Sequence, residues 1–343
     1  MQEATTTSGR PSPHAPSRAE GGKADRVPVH VLLPCFNEEQ SVLPMVEALA
    51  QVFVDETRWD VVAVFIDDGS NDGTWREISR AKEFDLPITV GGIRLDHNQG
   101  KAAAQAVGIR EMGPTDGVVI LMDADGQHDP SSLPKILADC MKTGVPQIAR
   151  RTGYRRSRTT TVGTVGLGVI AGLTGVRFDP SLGEYLALPS HTARRLARNP
   201  QLGIVPIVPL VQGISTRLQT FPSPVLDRAD GSASTRWTRS QLWHKALLLL
   251  LANPWGLLPR MAVVIAVTVA ALGSYGMAVG IASIVHGTFL GVGSVLVAMV
   301  IIFGVLAMLQ LVTLGLVVVL FRTISQTAAS GGTEVEVLDW RDT

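Results

Sequence analysis

The chain has 343 residues with 30 acidic and 30 basic side chains, so its formal net charge is zero and no bulk charge draws it to nucleic acid. Its two cysteines, Cys35 and Cys140, form no C-x-x-C pair, which argues against a zinc ribbon or disulfide framework and fits a reducing compartment. The length suits one large domain or a domain plus an appendage.

Residues 1–26 are rich in Ser, Thr, Pro, Gly and Ala, lack the apolar content to offset ordering entropy, and are expected to form a disordered tail. No apolar run stands at the start, so no signal peptide is expected. From residue 27, strands alternate with helices. VPVHVLLP (27–34) is a β-branched run stopped by Pro34, and EEQSVLPMVEALAQVF follows with apolar residues at helical spacing. WDVVAVFID (59–67) is a second strand, nearly continuous in apolar residues as a strand covered on both faces must be. TWREISRAKEF is a helix, ITVGGIRL (88–95) a third strand, GKAAAQAVGIREM a helix, and DGVVILMDA (116–124) a fourth strand. This alternation predicts an α/β fold, a mostly parallel sheet with helices on both faces, whose ligands sit beyond the carboxyl ends of the strands.

Those four ends carry polar side chains. They read Pro34-Cys35-Phe36-Asn37-Glu38-Glu39, then Asp67-Asp68-Gly69-Ser70, then Asp96-His97-Asn98-Gln99-Gly100-Lys101, then Asp123-Ala124-Asp125-Gly126-Gln127-His128. One such end is an ordinary turn; four on one rim make a constellation. Asp-x-Asp gives two hard oxygen ligands that can share one Mg²⁺ or Mn²⁺, leaving further positions for phosphate oxygens and water. Neither a Gly-x-x-x-x-Gly-Lys-Ser/Thr loop nor a G-x-G-x-x-G after strand one is present, which argues against P-loop and dinucleotide-binding domains.

PCFNEE, IDDGSNDGT, HNQGKAAAQAVGIR and MDADGQHDP resemble, in order, the signatures of family-2, GT-A-type glycosyltransferases. More narrowly they resemble the polyprenyl-phosphate sugar transferases, the dolichol-phosphate mannose synthases and bacterial undecaprenyl-phosphate enzymes. The resemblance covers about residues 29–150. It implies a GT-A domain over 27–236 that binds a UDP- or GDP-sugar, with Pro34, Asn37, Glu38, Glu39, Asp67 and Asp68 around the nucleoside. Asn98 and Lys101 would lie near the diphosphate or sugar. Asp123, Asp125 and Gln127 would hold Mg²⁺ or Mn²⁺, and Asp125 and Lys101, with Arg150 and Arg151, would carry the catalysis. The implied reaction is an inverting transfer to polyprenyl phosphate on the cytosolic leaflet.

On the acceptor side, ARRTGYRRSRTTT (149–161) concentrates arginines. It reads either as a basic loop facing anionic headgroups or as a clamp on the lipid phosphate by Arg150, Arg151, Arg155 and Arg158. The family has Gly-Ser-Arg where this chain has Ile148-Ala149-Arg150-Arg151. Arg228 matches the Arg of an Arg-x-x-Gly-x-Ser signature in which Ala233 replaces the Ser. VGTVGLGVIAGLTGV (162–176) reads as an interfacial helix and 237–260 as a juxtamembrane amphipathic segment. From Met261 to Phe321 there is no Asp, Glu, Lys or Arg. A span needs roughly 20 apolar residues, so two transmembrane helices are expected, about 261–285 and 293–321. Arg260 and Arg322 flank them, placing the catalytic domain and both termini in the cytoplasm of a multi-pass inner-membrane protein, with 322–343 a loosely held tail. Spacings Gly276–Gly280 and Gly287–Gly291 allow the spans to pack into a homo-oligomer.

Two other readings stand beside this one. A hydroxyl lipid or polysaccharide acceptor would need a base, and Glu184 in SLGEYLALP is the candidate. A non-catalytic membrane scaffold would explain the departures at Ala149, Ala233 and Leu182-Gly183-Glu184-Tyr185, though not the intact strand-end set.

Overall fold

The computed structural model describes residues 26–112, 116–152, 181–224, 254–285 and 335–338, with residues 167, 168, 171, 172 and 179 and part of 302–316. Its elements run β1 (Val27–Cys35), α1 (Val42–Phe53), β2 (Trp59–Asp67), α2 (Thr74–Lys82), β3 (Thr89–Leu95), α3 (Lys101–Glu111), β4 (Val118–Leu121), α4 (Leu133–Thr143), β5 (Gln147–Thr152) and β6 (Leu182–Pro189). Then come α5 (Ser190–Ala197), α6 (Ile207–Ile214), β7 (Gln219–Pro224), α7 (Pro254–Val285) and β8 (Val335–Leu338).

Among the described residues, eight strands form one sheet in the order β7-β5-β6-β4-β1-β2-β3-β8. β1 to β4 are mutually parallel, β6 and β8 run against them, and β5 and β7 point with β1. The expected mostly parallel α/β sheet is what the chain forms. Alternate residues of β1 explain its layering. Val29, Val31 and Leu33 enter the cluster with α1, α2 and α4, while Leu32 enters the cluster with α3, α5 and α6. Each fully buried side chain of this kind contributes about 1.5–3 kcal/mol, so the central strands are the anchor for everything on the rim.

Three differences bear on the site. β4 stops at Leu121, so Asp123 and Asp125 sit in the loop beyond the strand rather than on it. α7 begins at Pro254, is 32 residues long and continues through Pro259, so no break separates the expected juxtamembrane segment from the first expected span. Val335–Leu338, expected in a loose tail, instead forms β8 and caps the β3 edge, pairing Gly92 with Leu338, Ile93 with Val337, Arg94 with Glu336 and Leu95 with Val335.

The membrane hairpin is not shown. Among the described residues, no helix is long and apolar enough to cross a membrane. The side chains of α7 are described only in part; Val263, Val267, Tyr275, Met277, Ile281 and Val285 are among its exposed apolar ones. Most of 293–321 lies outside the described residues, as do 1–25, 225–253 and most of 153–178. Of the expected interfacial helix, Leu167 and Ala171 are described, and both are buried.

Candidate active site

The parallel strands deliver their C-terminal ends to one rim, and antiparallel β6 brings its start to the same rim. The result is a cleft of about 320 Å³ lined by Pro34, Cys35, Phe36, Glu38, Asp68, Asn98, Gly100, Lys101, Ala104, Asp123, Ala124 and Asp125. Seven of the expected site residues thus meet: Pro34, Glu38, Asp68, Asn98, Lys101, Asp123 and Asp125. Asn37, Glu39, Asp67 and Gln127 do not line it.

Those four act on the loops around the cleft. Asn37 adopts a left-handed φ of 55°, turning the chain out of β1. Its N–H donates to Ser70 Oγ at 2.9 Å, and its side-chain oxygen accepts from Asn71 N–H at 3.0 Å. Glu39 accepts from Gly73 N–H at 3.0 Å and pairs with Arg76. Asp67 is fully buried, and its Oδ1 accepts from Ser70 N–H at 2.9 Å. The Gln127 N–H donates to Asp125 Oδ1 at 3.0 Å.

Asp68 ties β2 to the start of α3. Its two oxygens accept the N–H groups of Gln99 at 2.8 Å and Gly100 at 2.9 Å. Burial pushes its carboxyl above the ordinary range, the adjacent Asp67 charge adds to this, and the two N–H donors oppose it. Gly69 between these loops has a φ of +67°, and a Cβ there would lie 2.5 Å from the His97 carbonyl carbon, so the loops approach as closely as they do only because the residue is glycine.

The other half of the cleft is a cluster of charges. Lys101, the first residue of α3, places Nζ 2.5 Å from Asp123 Oδ1 and 2.6 Å from Glu184 Oε2. Burial works against its ammonium, but the two carboxylates outweigh burial and hold the proton more tightly than in a free lysine. Burial likewise works against the Asp123 anion, yet Lys101 and then His128 hold its carboxyl well below the usual range. His128 Nε2 lies 3.7 Å from Asp123 Oδ2, and its ring packs against Tyr185 with centroids 5.1 Å apart. Tyr185 is fully buried, 3.3 Å from Ser132 Oγ, and edge-on to Phe221.

Of the arginines, Arg150 and Arg151 are exposed at the rim end of β5. Arg150 donates to Ser181 Oγ at 2.7 Å and pairs with Asp179 at 3.3 Å, while the Arg151 N–H donates to the Ser181 carbonyl at 2.8 Å. Arg155, Arg158 and Arg228 lie outside the described residues.

His128 and Tyr185 have no role predicted from the sequence, and Glu184 only that of a base. His128 was findable, since it follows Asp123 within one turn-rich loop. The Lys101–Glu184 pair was not, since it depends on β6 running antiparallel. A divalent ion fits the donor set in one manner only. Among the described residues no group of three or more His, Cys, Asp or Glu side chains is arranged to hold a metal. Two carboxylates one residue apart suit an ion such as Mg²⁺ that takes its remaining ligands from water and a diphosphate.

Residues 30–162 match the model of glycosyl transferase family 2. The chain is similar to the dodecaprenyl-phosphate galacturonate synthase of Rhizobium johnstonii, 29% identical over 148 residues, covering 42% of this chain and 40% of that protein. It is also similar to an undecaprenyl-phosphate 4-deoxy-4-formamido-L-arabinose transferase of Pseudomonas fluorescens, 31% identical over 119 residues, or 34% of each. The match thus spans less than half the length of either relative. Among solved structures it is similar to a glucosyl-3-phosphoglycerate synthase from Mycobacterium tuberculosis, with 18% identity and a TM-score of 0.46 over 70% of this chain and 86% of that one.

Proposed function

We propose that this protein transfers a sugar from a UDP- or GDP-sugar to the phosphate of a polyprenyl phosphate, undecaprenyl phosphate being the model acceptor, with inversion at the anomeric carbon. The observation that carries the reading is the meeting of Asp68, Asn98, Lys101, Asp123 and Asp125 in one cleft, with Arg150 and Arg151 on the same rim. The family-2 domain and the relatives named for polyprenyl-phosphate substrates support it.

In this reading Pro34, Glu38 and Asp68 receive the nucleoside, with Asn37, Glu39 and Asp67 bracing the loops behind them. Asn98 and Lys101 face the diphosphate and sugar. Asp125, Asp123 and Gln127 would hold Mg²⁺ or Mn²⁺, which would neutralise the diphosphate as it leaves. Arg150 and Arg151, joined by Arg155, Arg158 and Arg228, receive the acceptor phosphate. That phosphate is ionised near neutral pH, its second pKa being about 6, so no strong base is required. The residues position the reactants and screen two anions from each other. Glu184 fits this better than it fits a base for a hydroxyl acceptor, because its carboxylate is already engaged by Lys101 at 2.6 Å.

The same reading anchors the chain in the inner membrane through 261–285 and 293–321, with the catalytic domain and both termini cytoplasmic. The charge-free run from Met261 to Phe321 supports this, as does β8, which sets the segment beyond that run on the same sheet as the cleft.

The test is label transfer. Detergent-solubilised protein, Mg²⁺ or Mn²⁺ and undecaprenyl phosphate are incubated with radiolabelled UDP- and GDP-sugars, and label is counted in the organic phase. Transfer from one donor, lost with chelator, is expected. Transfer only to hydroxyl lipids would replace the acceptor, and neither transfer nor nucleotide binding would leave a scaffold.

A further inference from the structure

β8 lies far along the chain from the family-2 domain, yet it sits beside the donor side of the cleft. Leu338 packs against the core cluster that includes Ile78 and Val90. Glu336 is exposed and stands opposite Arg94 in the β3–β8 register. With Arg94 and Asp96 it lines a second cavity of about 580 Å³, whose other wall is the turn Gly69-Ser70-Asn71.

Arg94 connects the two walls. Its Nε lies 3.6 Å from Asp67 Oδ2, and its guanidinium lies 5.8 Å from the centre of the Trp75 ring. That carboxylate oxygen is buried and has no hydrogen-bond partner, so Arg94 is the cation facing a buried charge. The other oxygen of Asp67 closes the turn by accepting from Ser70 N–H, and Ser70 Oγ accepts from Asn37 N–H. Asn37 lies between Phe36 and Glu38, both of which line the cleft. A continuous path of polar contacts therefore leads from Arg94 to the residues around the donor's nucleoside.

We infer that Arg94 and Glu336 are positioning residues for the donor. Glu336 stands opposite Arg94 on the outer strand and lines the same cavity, while Asp67 faces Arg94 from the inner strand at 3.6 Å. Paired with Asp67, and with the Glu336 charge across the register favouring its cation, Arg94 keeps the Asp67–Ser70 turn in place, and Asp68 with it. Opposite charges directly across a strand pair favour this arrangement, and like charges there oppose it. The inference rests on the donor reading above and adds that the strand beyond the long apolar stretch completes the nucleotide site.

The test uses full-length, detergent-solubilised protein with Mg²⁺, titrated with UDP and GDP by calorimetry, alongside donor kinetics and thermal melts. Glu336→Lys is expected to weaken binding of the preferred nucleotide by about fivefold. Donor KM should rise in proportion, with kcat within about twofold of wild type and an unchanged melting midpoint. Glu336→Asp should bind as wild type does. A strand that only covers the sheet edge would move the melting midpoint and leave KM alone. Should Glu336→Lys fail to fold, the isosteric Glu336→Gln decides the matter, and wild-type affinity in that variant overturns the inference. Wild-type protein that binds neither nucleotide overturns the donor reading and this inference with it, whereas equal binding by wild type and variants overturns this inference alone.

Discussion

Around the ends of β1, β2 and β3, acidic side chains are taken up by backbone N–H groups: Asp67 by Ser70, Asp68 by Gln99 and Gly100, and Glu39 by Gly73. Around β4 and β6, Asp123 and Glu184 face cations instead, sharing Lys101, with Asp123 also beside His128, while Asp125 accepts the Gln127 N–H. One half of the rim uses carboxylates as staples, while in the other Asp123 and Glu184 serve as exchangeable charges. A staple gives shape and resists replacement. A charge balanced by a lysine whose side chain is 40% exposed can be met by an incoming ligand.

The sharpest way to break that comparison is Asp125→Ala. Label transfer should fall by about 10³-fold while stability changes by no more than about 1 kcal/mol, checked by a denaturant melt. A variant that unfolds instead would class Asp125 with the staples. Lys101→Met should follow, with transfer reduced by about 10²-fold. Two carboxylates then face each other uncompensated, and stability should drop by about 1 kcal/mol after allowance for their partial exposure.

Acid sharpens the same contrast. The Asp123 carboxyl is lower in the folded protein than in the unfolded chain, so its contribution is complete above the unfolded value of about 4 and lost as pH falls below it. Stability followed from pH 6 down to pH 2 should decline by about 2 kcal/mol more in wild type than in Asp123→Asn. Equal slopes would mean that the Lys101 pairing contributes nothing to folding.

On the staple side, Gly69→Ala should cost about 1–2 kcal/mol, since the residue combines a φ of +67° with a Cβ set against His97. Nucleotide affinity should fall with it, measured by the same titration. Glu39→Gln should be mildest, at about 0.5 kcal/mol, because its partner Arg76 is exposed and the Gly73 N–H keeps an acceptor.

This difference between staples and charges marks where the sequence stopped being readable. The alternation from β1 to β4 was legible because strand and helix periods are distinct, and so was the delivery of four polar strand ends to one rim. Asp67 and Asp68 are neighbours of one type, and nothing in their spacing shows that the first turns inward to Ser70 and Arg94 while the second lines the cleft. Glu39 looked as available as Glu38, but the turn at Asn37 sends it toward Gly73. Glu184 reaches Lys101 only because β6 pairs antiparallel with β4, a direction that no local pattern encodes. The four-residue alternation of β8 is too brief to distinguish from a polar tail.

The placement of β8 also bears on how the protein is made. β3 acquires its outer neighbour only from residues about 240 positions later in the chain. At translation rates of about 5–20 residues per second, that edge waits on the order of 10–50 s while the long apolar stretch emerges. During that interval the nascent sheet carries an unpaired strand next to the Gly69–Asn71 turn, open to pairing with another chain. A ribosome that stalls or terminates anywhere between β3 and β8 releases the domain in that state. Messages truncated in this interval should therefore yield aggregated product, even where every residue lining the cleft has been translated.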